Sequence, residues 1–296
     1  MHEPILYIDR TRAYYAALGY PAYQWAHFDD VPFIQPQRAV SASRIALITT
    51  AARFDPTLGA QGPGAAYNAA AKFYRVYRVP VCPTPDLRIS HVGYDRKHTT
   101  AADANSWLPI RELQDAADRG AIGSLANDVI GLPTNRSQHT TLNQDAPAVL
   151  DACIEQQVEV ALFVPNCPVC HQSASLVARH LEANGVSTVV IGCARDIVEN
   201  VGVPRFLYSD FPLGNSGGKP FDKASQRDTL MQALRLFDTA TAPRTTVVST
   251  QIWSVDQRWK NDFMNIAALP EAEIVRRQAE FAQQKAVAKS IREDGR

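Results

Sequence analysis

The 296-residue chain has no net charge, since 30 Lys and Arg balance 30 Asp and Glu. A neutral chain without a basic stripe has no electrostatic footprint for a phosphate backbone, which argues against nucleic acid as a partner. Long apolar runs are also missing. None approaches the roughly 20 residues needed to cross a bilayer. The opening MHEPILYIDRTRAYY lacks the basic-then-apolar layout of a secretory signal. No membrane association and a cytoplasmic location are expected. Cysteine is scarce, with five residues at 82, 153, 167, 170 and 193. An odd number without repeating spacing does not describe a disulfide framework; in a reducing compartment a close pair points to redox or metal chemistry. H-E-x-x-H, G-x-S-x-G, G-x-G-x-x-G and G-x-x-x-x-G-K-[ST] do not occur, so the hydrolase, dinucleotide and P-loop readings lack their signals.

What is present is an alternation of short apolar strands and helices, in a chain long enough for one large domain or two. Residues 1–40 are rich in aromatics and proline and read as an arm, with a helix over 10–18, that wraps the core or packs on another domain or subunit. RIALITTAA (44–52) reads as a strand ending in Thr49 and Thr50, at the carboxyl edge where α/β sheets bind ligands. YRVYRVPV (74–81) reads as an edge strand because of Pro80. LRISHVGYD (87–95) reads as a strand running into a polar loop. PIRELQDAADRG is a helix stopped by Gly120, AIGSLANDVIGL a short amphipathic segment, and 133–146 a polar loop and candidate boundary. After a helix over 146–157, VEVALFVPN (158–166), the helix QSASLVARHLEANG and VSTVVIG (186–192) form a β-α-β unit, which requires parallel strands. RFLYSDF (205–211) adds a strand, PLGNSGGKPFD a loop, QRDTLMQALRLFDTA a helix, and the tail a long charged helix. The predicted fold is α/β, with parallel sheet(s) flanked by helices. Two pseudo-symmetric α/β domains fit the pattern: an arm 1–40, halves 41–145 and 146–240, and a C-terminal helical extension 241–296.

The stretch VPNCPVCH places Cys167 and Cys170 two residues apart, directly before His171. Three chemistries compete for such a CxxCH. Covalent haem attachment uses this signal, but normally after export. A structural zinc wants four ligands, usually as two close pairs, and only one pair is here. Thiol chemistry fits the placement. The strand delivers Cys167 to a helix start, Pro168 suits the first helical turn, and free N–H groups with the positive end of the helix dipole favour a thiolate there. Cys167 is then the nucleophile and Cys170, one turn on, the resolving thiol. Two inert buried cysteines are the bland alternative.

Other candidates gather at the same predicted edge. His171 reads either as a proton donor to the thiolate or leaving group, or as a cap. Cys193 and Arg195 follow the strand 186–192, and Arg195 has the fork geometry to hold a carboxylate. Gly214, Asn215, Ser216, Gly217 and Gly218 offer backbone N–H groups for an anion. Thr49 and Thr50 are candidate lining residues. His91 and Asp95 read as a solvated loop pair and His98 as a surface residue. No metal site and no cofactor are expected.

The run NCPVCHQSASLVARHLEANG, then VVIG, then FPLGNSGGKP resembles the B component (selenoprotein B) of glycine, sarcosine and betaine reductases and of D-proline reductase. HVGYDRKHTTAADANSWLPIRELQDAADRGAIGSLA and the opening TRAYYAALGYP…FDDVPF extend the likeness along most of the chain. In that family a U-x-x-C motif lies at a strand-to-helix turn and a P-L-G-N-P loop lies downstream. Cys167 falls on the selenocysteine position and Cys170 on the family cysteine; Pro212, Leu213, Gly214 and Asn215 match the loop, with Ser216 where proline is common. The resemblance implies reductive C–N cleavage driven by a dithiol. The small-molecule amine substrate is held as a Schiff base on the pyruvoyl group of a separate subunit. A dithiol or thioredoxin-like protein serves as reductant, and a homo-oligomer is expected. The residues by themselves leave two other functions open: a partner-independent thiol-disulfide or peroxide reductase, and a non-catalytic zinc-binding interaction protein.

Overall fold

The computed structural model describes residues 3–293; the last three residues of the expected extension, 294–296, lie outside them. The strands are β1 (Arg44–Thr49), β2 (Ala52–Arg53), β3 (Tyr77–Pro80), β4 (Leu87–Arg88), β5 (Ser124–Leu125), β6 (Asp128–Gly131), β7 (Val160–Val164), β8 (Ser187–Gly192), β9 (Arg205–Tyr208) and β10 (Thr245–Val248). The helices are α1 (Tyr7–Ala17), α2 (Ile110–Asp118), α3 (Gln138–Thr140), α4 (Ala146–Glu155), α5 (Pro168–Ala183), α6 (Arg195–Val201), α7 (Lys223–Thr239) and α8 (Glu271–Glu293). Eight strands form one sheet, ordered β10-β9-β8-β7-β1-β6-β3, with β5 also on β1. Every pairing in it is parallel except that of the edge strand β3, which runs antiparallel to β6 and carries Pro80. The α/β class is as the sequence predicts.

Alternation along the central strands builds two cores. Ile45 and Leu47 of β1 and Leu162 of β7 pack with Ile110 and Leu113 of α2 and Leu234 and Phe237 of α7. Ala46, Ile48, Ala161 and Phe163 face the other way, onto Val149 of α4, Val177 and Leu181 of α5, and Val198 of α6. Strands covered on both faces need no polar side, which is why β1, β7 and β8 read as nearly continuous apolar runs. β1 belongs to the first half of the chain and β7 to the second, and they pair from Ile45↔Val160 to Thr49↔Val164. Both halves therefore share one sheet.

Four segments differ from their sequence reading. AIGSLANDVIGL forms β5 and β6, because Val129 and Ile130 enter opposite cores, a two-residue period that no helix satisfies. The segment expected as a polar loop is helical from Gln138 onward. Ser137 caps it by accepting from the Thr140 N–H (3.2 Å), and a π turn over Thr141–Asp145 carries the chain into α4. The wide turn precedes Pro147, which has no N–H to continue a regular ladder. Only Leu87–Arg88 of 87–95 is strand, and it pairs with β2 outside the main sheet. Within 241–270, β10 pairs with β9 rather than joining a helix.

The N-terminal arm wraps its own chain. Ala26 N–H donates to Gln172 Oε1 of α5 (2.7 Å), and Ile8 N–H donates to Asp196 Oδ2 of α6 (2.8 Å). Farther along, Ile34 N–H donates to Glu182 (2.9 Å), whose carboxylate also holds Arg205 at 2.8 Å with both side chains fully buried. Breaking one half of such a pair strands a charge in the interior. Arg205→Met should therefore cost about 3–5 kcal/mol, read as a lowered midpoint in urea denaturation with an unchanged slope.

Candidate active site

β1 and β7 are parallel neighbours whose chains leave in opposite directions. From β1 the chain travels to β6 on one side, and from β7 it continues to β8 on the other. Such a switch point opens a crevice at the carboxyl ends of the two strands. Thr50 follows β1 there, and Val164, Pro165, Asn166 and Cys167 leave β7 beside it. The Thr50 hydroxyl accepts from Asn166 N–H (3.2 Å) and Asn166 Nδ2 (3.4 Å). The Ser216 hydroxyl donates to Pro165 O (3.0 Å). The turn is thus clamped from two sides before the helix begins.

Cys167 is the N-cap of α5. Its backbone is extended, and its sulfur accepts from Cys170 N–H at 3.2 Å, the place where a Ser or Asp oxygen usually sits. Pro168 occupies the first turn as expected. Cys167 and Cys170 are joined as a disulfide. Cys167 lines a cavity of about 280 Å³, whereas Cys170 lies behind it, wholly buried, with the Thr134 hydroxyl 3.3 Å from its sulfur. The approach is tight: a Cβ on Gly93 would stand 2.7 Å from Pro168 Cδ.

His91 is the residue that sequence reasoning undervalued. It is buried rather than solvated, and its Nε2 donates to Thr50 O at 2.7 Å. That bond leaves Nδ1 as the lone-pair nitrogen. One ring nitrogen and the sulfurs of Cys167 and Cys170 lie within 4.8 Å of one another. Burial pushes the His91 pKa down to about 4. The residue enters from the loop after β4, and no local pattern couples residue 91 to residue 167. Asp95 and His98, also read as solvent-facing, form a pair (3.0 Å) in which Asp95 is buried and His98 reaches Asp262.

Lys72, Arg136 and Lys285 line the cavity too, and no carboxylate among the described residues does. The three cations lie over the rings of Tyr74, Tyr15 and Tyr20 at 4.8, 4.5 and 4.7 Å. Arg136 has φ 57°, an unusual backbone for a side chain of its size. Thr11 Oγ1 is buried in the same wall with no hydrogen-bond partner among the described residues. The outer wall is Phe281, Gln284, Lys285 and Ala288 of α8. Sequence reasoning missed Thr134, Arg136, Lys72 and Lys285, which come from separate segments.

His171 does not face the cavity. Its Nδ1 donates to Cys167 O (2.7 Å), and its Nε2 accepts from Cys193 N–H (3.0 Å) and Ala194 N–H (3.3 Å). Both ring positions are spent on backbone, and burial lowers its pKa to about 4. The proton-donor reading of His171 is corrected to that of a brace between the first turn of α5 and the start of α6. Cys193 is enclosed near Ser216, and burial raises its thiol pKa to about 12. Arg195 turns to Glu199 (3.0 Å) instead of a ligand. Gly214 has φ +104° and packs where a Cβ would strike the Tyr94 ring. Asn215 is buried, bonded to Pro212 O and Thr99, and the N–H groups of Gly217 and Gly218 donate to Ser106 O and Asn215 O. The loop is therefore packing, not an anion cradle. Thr49 Oγ1 accepts from Ala51 N–H. Thr49, Thr50, Cys193, Arg195, Gly214 and Asn215 all lie outside the cavity lining.

The fold and the site define an α/β protein with a cysteine pair opening onto a cationic cavity at a sheet switch point. Over 156 residues it is 28% identical to the D-proline reductase subunit gamma of Acetoanaerobium sticklandii, covering 51% of this chain and 64% of that one. Over 226 residues it is 23% identical to the glycine reductase complex component B subunit gamma of Symbiobacterium thermophilum, covering 73% of this chain and 51% of that one. No family model and no solved structure matches. The chain is thus similar to gamma subunits of D-proline reductase and of the glycine reductase complex component B. It spans between about half and two thirds of the length of these curated relatives. Among the described residues no helix is long and apolar enough to cross a membrane.

Both buried histidines link stability to pH. Each falls from 6.5 to about 4 on folding, so between those values the unfolded chain binds protons that the folded chain refuses. The stability they contribute is complete above pH 6.5 and is lost as pH drops toward 4, by about 3 kcal/mol per ring at the limit. In urea denaturation across pH 7 to 4, His171→Gln should lose about half of that pH-dependent loss.

Proposed function

We propose that the protein is a thiol-dependent oxidoreductase acting as one subunit of a reductase, with Cys167 as nucleophile and Cys170 as resolving thiol. The observation that carries this reading is the asymmetry of the pair: Cys167 faces the cavity and Cys170 stands directly behind it. A thiolate at a helix N-cap beside three cations is stabilised relative to the thiol. His91, neutral above about pH 4, accepts a hydrogen bond from the thiol that remains protonated. The cationic lining and the unpartnered Thr11 hydroxyl favour a small substrate bearing a carboxylate.

The Cys167 thiolate attacks the α-carbon of the substrate, the C–N bond breaks, and the amine leaves with a proton. Cys170 then attacks the Cys167 sulfur. The S–C bond breaks, its electron pair goes to carbon, which takes a proton, and the pair becomes a disulfide. A dithiol or thioredoxin-like protein reduces it again. The chain's relatives are named as subunits of reductases, which supports a partner subunit; that this partner is of the pyruvoyl type and holds the amine is what the family resemblance implies. The Cys167–Cys170 disulfide favours a second reading, since a dithiol/disulfide pair is by itself a two-electron couple: partner-independent reduction of a disulfide or peroxide. Turnover by the isolated chain with dithiothreitol alone decides for the second.

Cys167→Ser should abolish turnover under either reading, while Cys170→Ser should accumulate a covalent adduct or mixed disulfide on Cys167, visible by intact-protein mass spectrometry. Full activity in Cys167→Ser would falsify both. Arg136→Ala should raise KM for a carboxylate substrate about tenfold or more, the loss of one charge-assisted contact, and should slow alkylation of Cys167 by an uncharged reagent only below the thiol pKa, so that the two effects separate at high pH.

A further inference from the structure

The disulfide describes one state of the pair. Around the disulfide, the two sulfurs and one histidine nitrogen already lie within 4.8 Å of one another, buried, with Cys167 open to the cavity; reduction frees both sulfurs as ligands. Zinc–sulfur and zinc–nitrogen bonds are about 2.3 and 2.0 Å, so donors of one zinc site stand about 3–4 Å apart. A spread within 4.8 Å is within a side-chain adjustment of that. The surroundings match what a metal site needs beyond its ligands. His91 donates Nε2–H to Thr50 O, which fixes its tautomer and leaves Nδ1 as the nitrogen with a lone pair for a metal, the kind of bond that orients ligating imidazoles. The Thr134 hydroxyl is in place to donate to the Cys170 thiolate. Two sulfur ligands and an imidazole suit a thiophilic ion such as zinc rather than a hard, oxygen-seeking one.

We propose that Cys167, Cys170 and His91 of the reduced protein form a binding site for one zinc ion, with the fourth position open to the cavity, and that zinc and the disulfide exclude each other. Binding of one Zn²⁺ by the two sulfurs as thiolates releases whatever thiol protons they still hold; a two-electron oxidant of the disulfide or peroxide class, itself reduced to two thiols or to water and alcohol, converts the pair to the disulfide and releases the ion. The site stands on geometry alone and holds whether or not the chain proves to be a reductase. It gives the cysteine pair a resting state protected from oxidation.

The test uses the full chain, reduced and stripped with chelator, in a Cys82→Ser background to remove the one exposed thiol outside the pair. Zinc is titrated against a chromophoric competitor, and cadmium against ultraviolet thiolate-to-metal absorption. One ion per chain is expected, lost from Cys170→Ser and released stoichiometrically on oxidation. His91→Ala should weaken binding at least tenfold with unchanged far-ultraviolet circular dichroism. Absence of stoichiometric binding to the reduced chain overturns the proposal. So does full affinity in a folded His91→Ala, which would reduce the site to a two-cysteine chelate. Neither outcome bears on the Cys167→Ser activity test, so failure here leaves the reductase reading intact.

Discussion

Thr50 uses both of its oxygens to join parts of the chain that are far apart in sequence. Its hydroxyl holds Asn166 at the turn before Cys167, and its carbonyl holds His91. Because it follows β1 directly, its position is fixed by the central strand of the sheet. The cysteine pair and the histidine therefore hang from one rigid point, with almost no exposure to water. In such a place each unmade hydrogen bond is costly, and the three groups are held in one relative geometry.

A second brace acts from below. His171 spends both ring nitrogens on backbone, tying the first turn of α5 to the chain entering α6. The Pro212–Gly218 loop works similarly, with Ser216 bonded to Pro165 O. These residues look like reactive groups in the sequence because they stand beside the cysteines or in a glycine-rich run. Enclosure turns them into scaffolding: the His171 ring, the Asn215 amide and the Ser216 hydroxyl all bond within the chain.

The two cysteines are arranged by depth. Cys167 meets the cavity, Cys170 is shielded by it, and cations over tyrosine rings surround the opening. An aromatic face holds a cation without neutralising it as a carboxylate would.

The sequence by itself determined the α/β class, the β-α-β unit that carries the cysteines, the helix start at Cys167 and the edge position of Pro80. Each follows from local periodicity or from the backbone chemistry of a single residue. The family likeness was legible for a related reason, since NCPVC and PLGN are contiguous. AIGSLANDVIGL was misread because its strand character depends on cores that exist only once β1 is in place. The partnership of His91 with residues 167 and 170, the cations from residues 72, 136 and 285, and the withdrawal of His171, Cys193 and Arg195 from the site were decided by the tertiary structure alone. Those contacts join segments dozens to hundreds of residues apart, and which side chains meet there depends on strand order and burial, which no local pattern encodes.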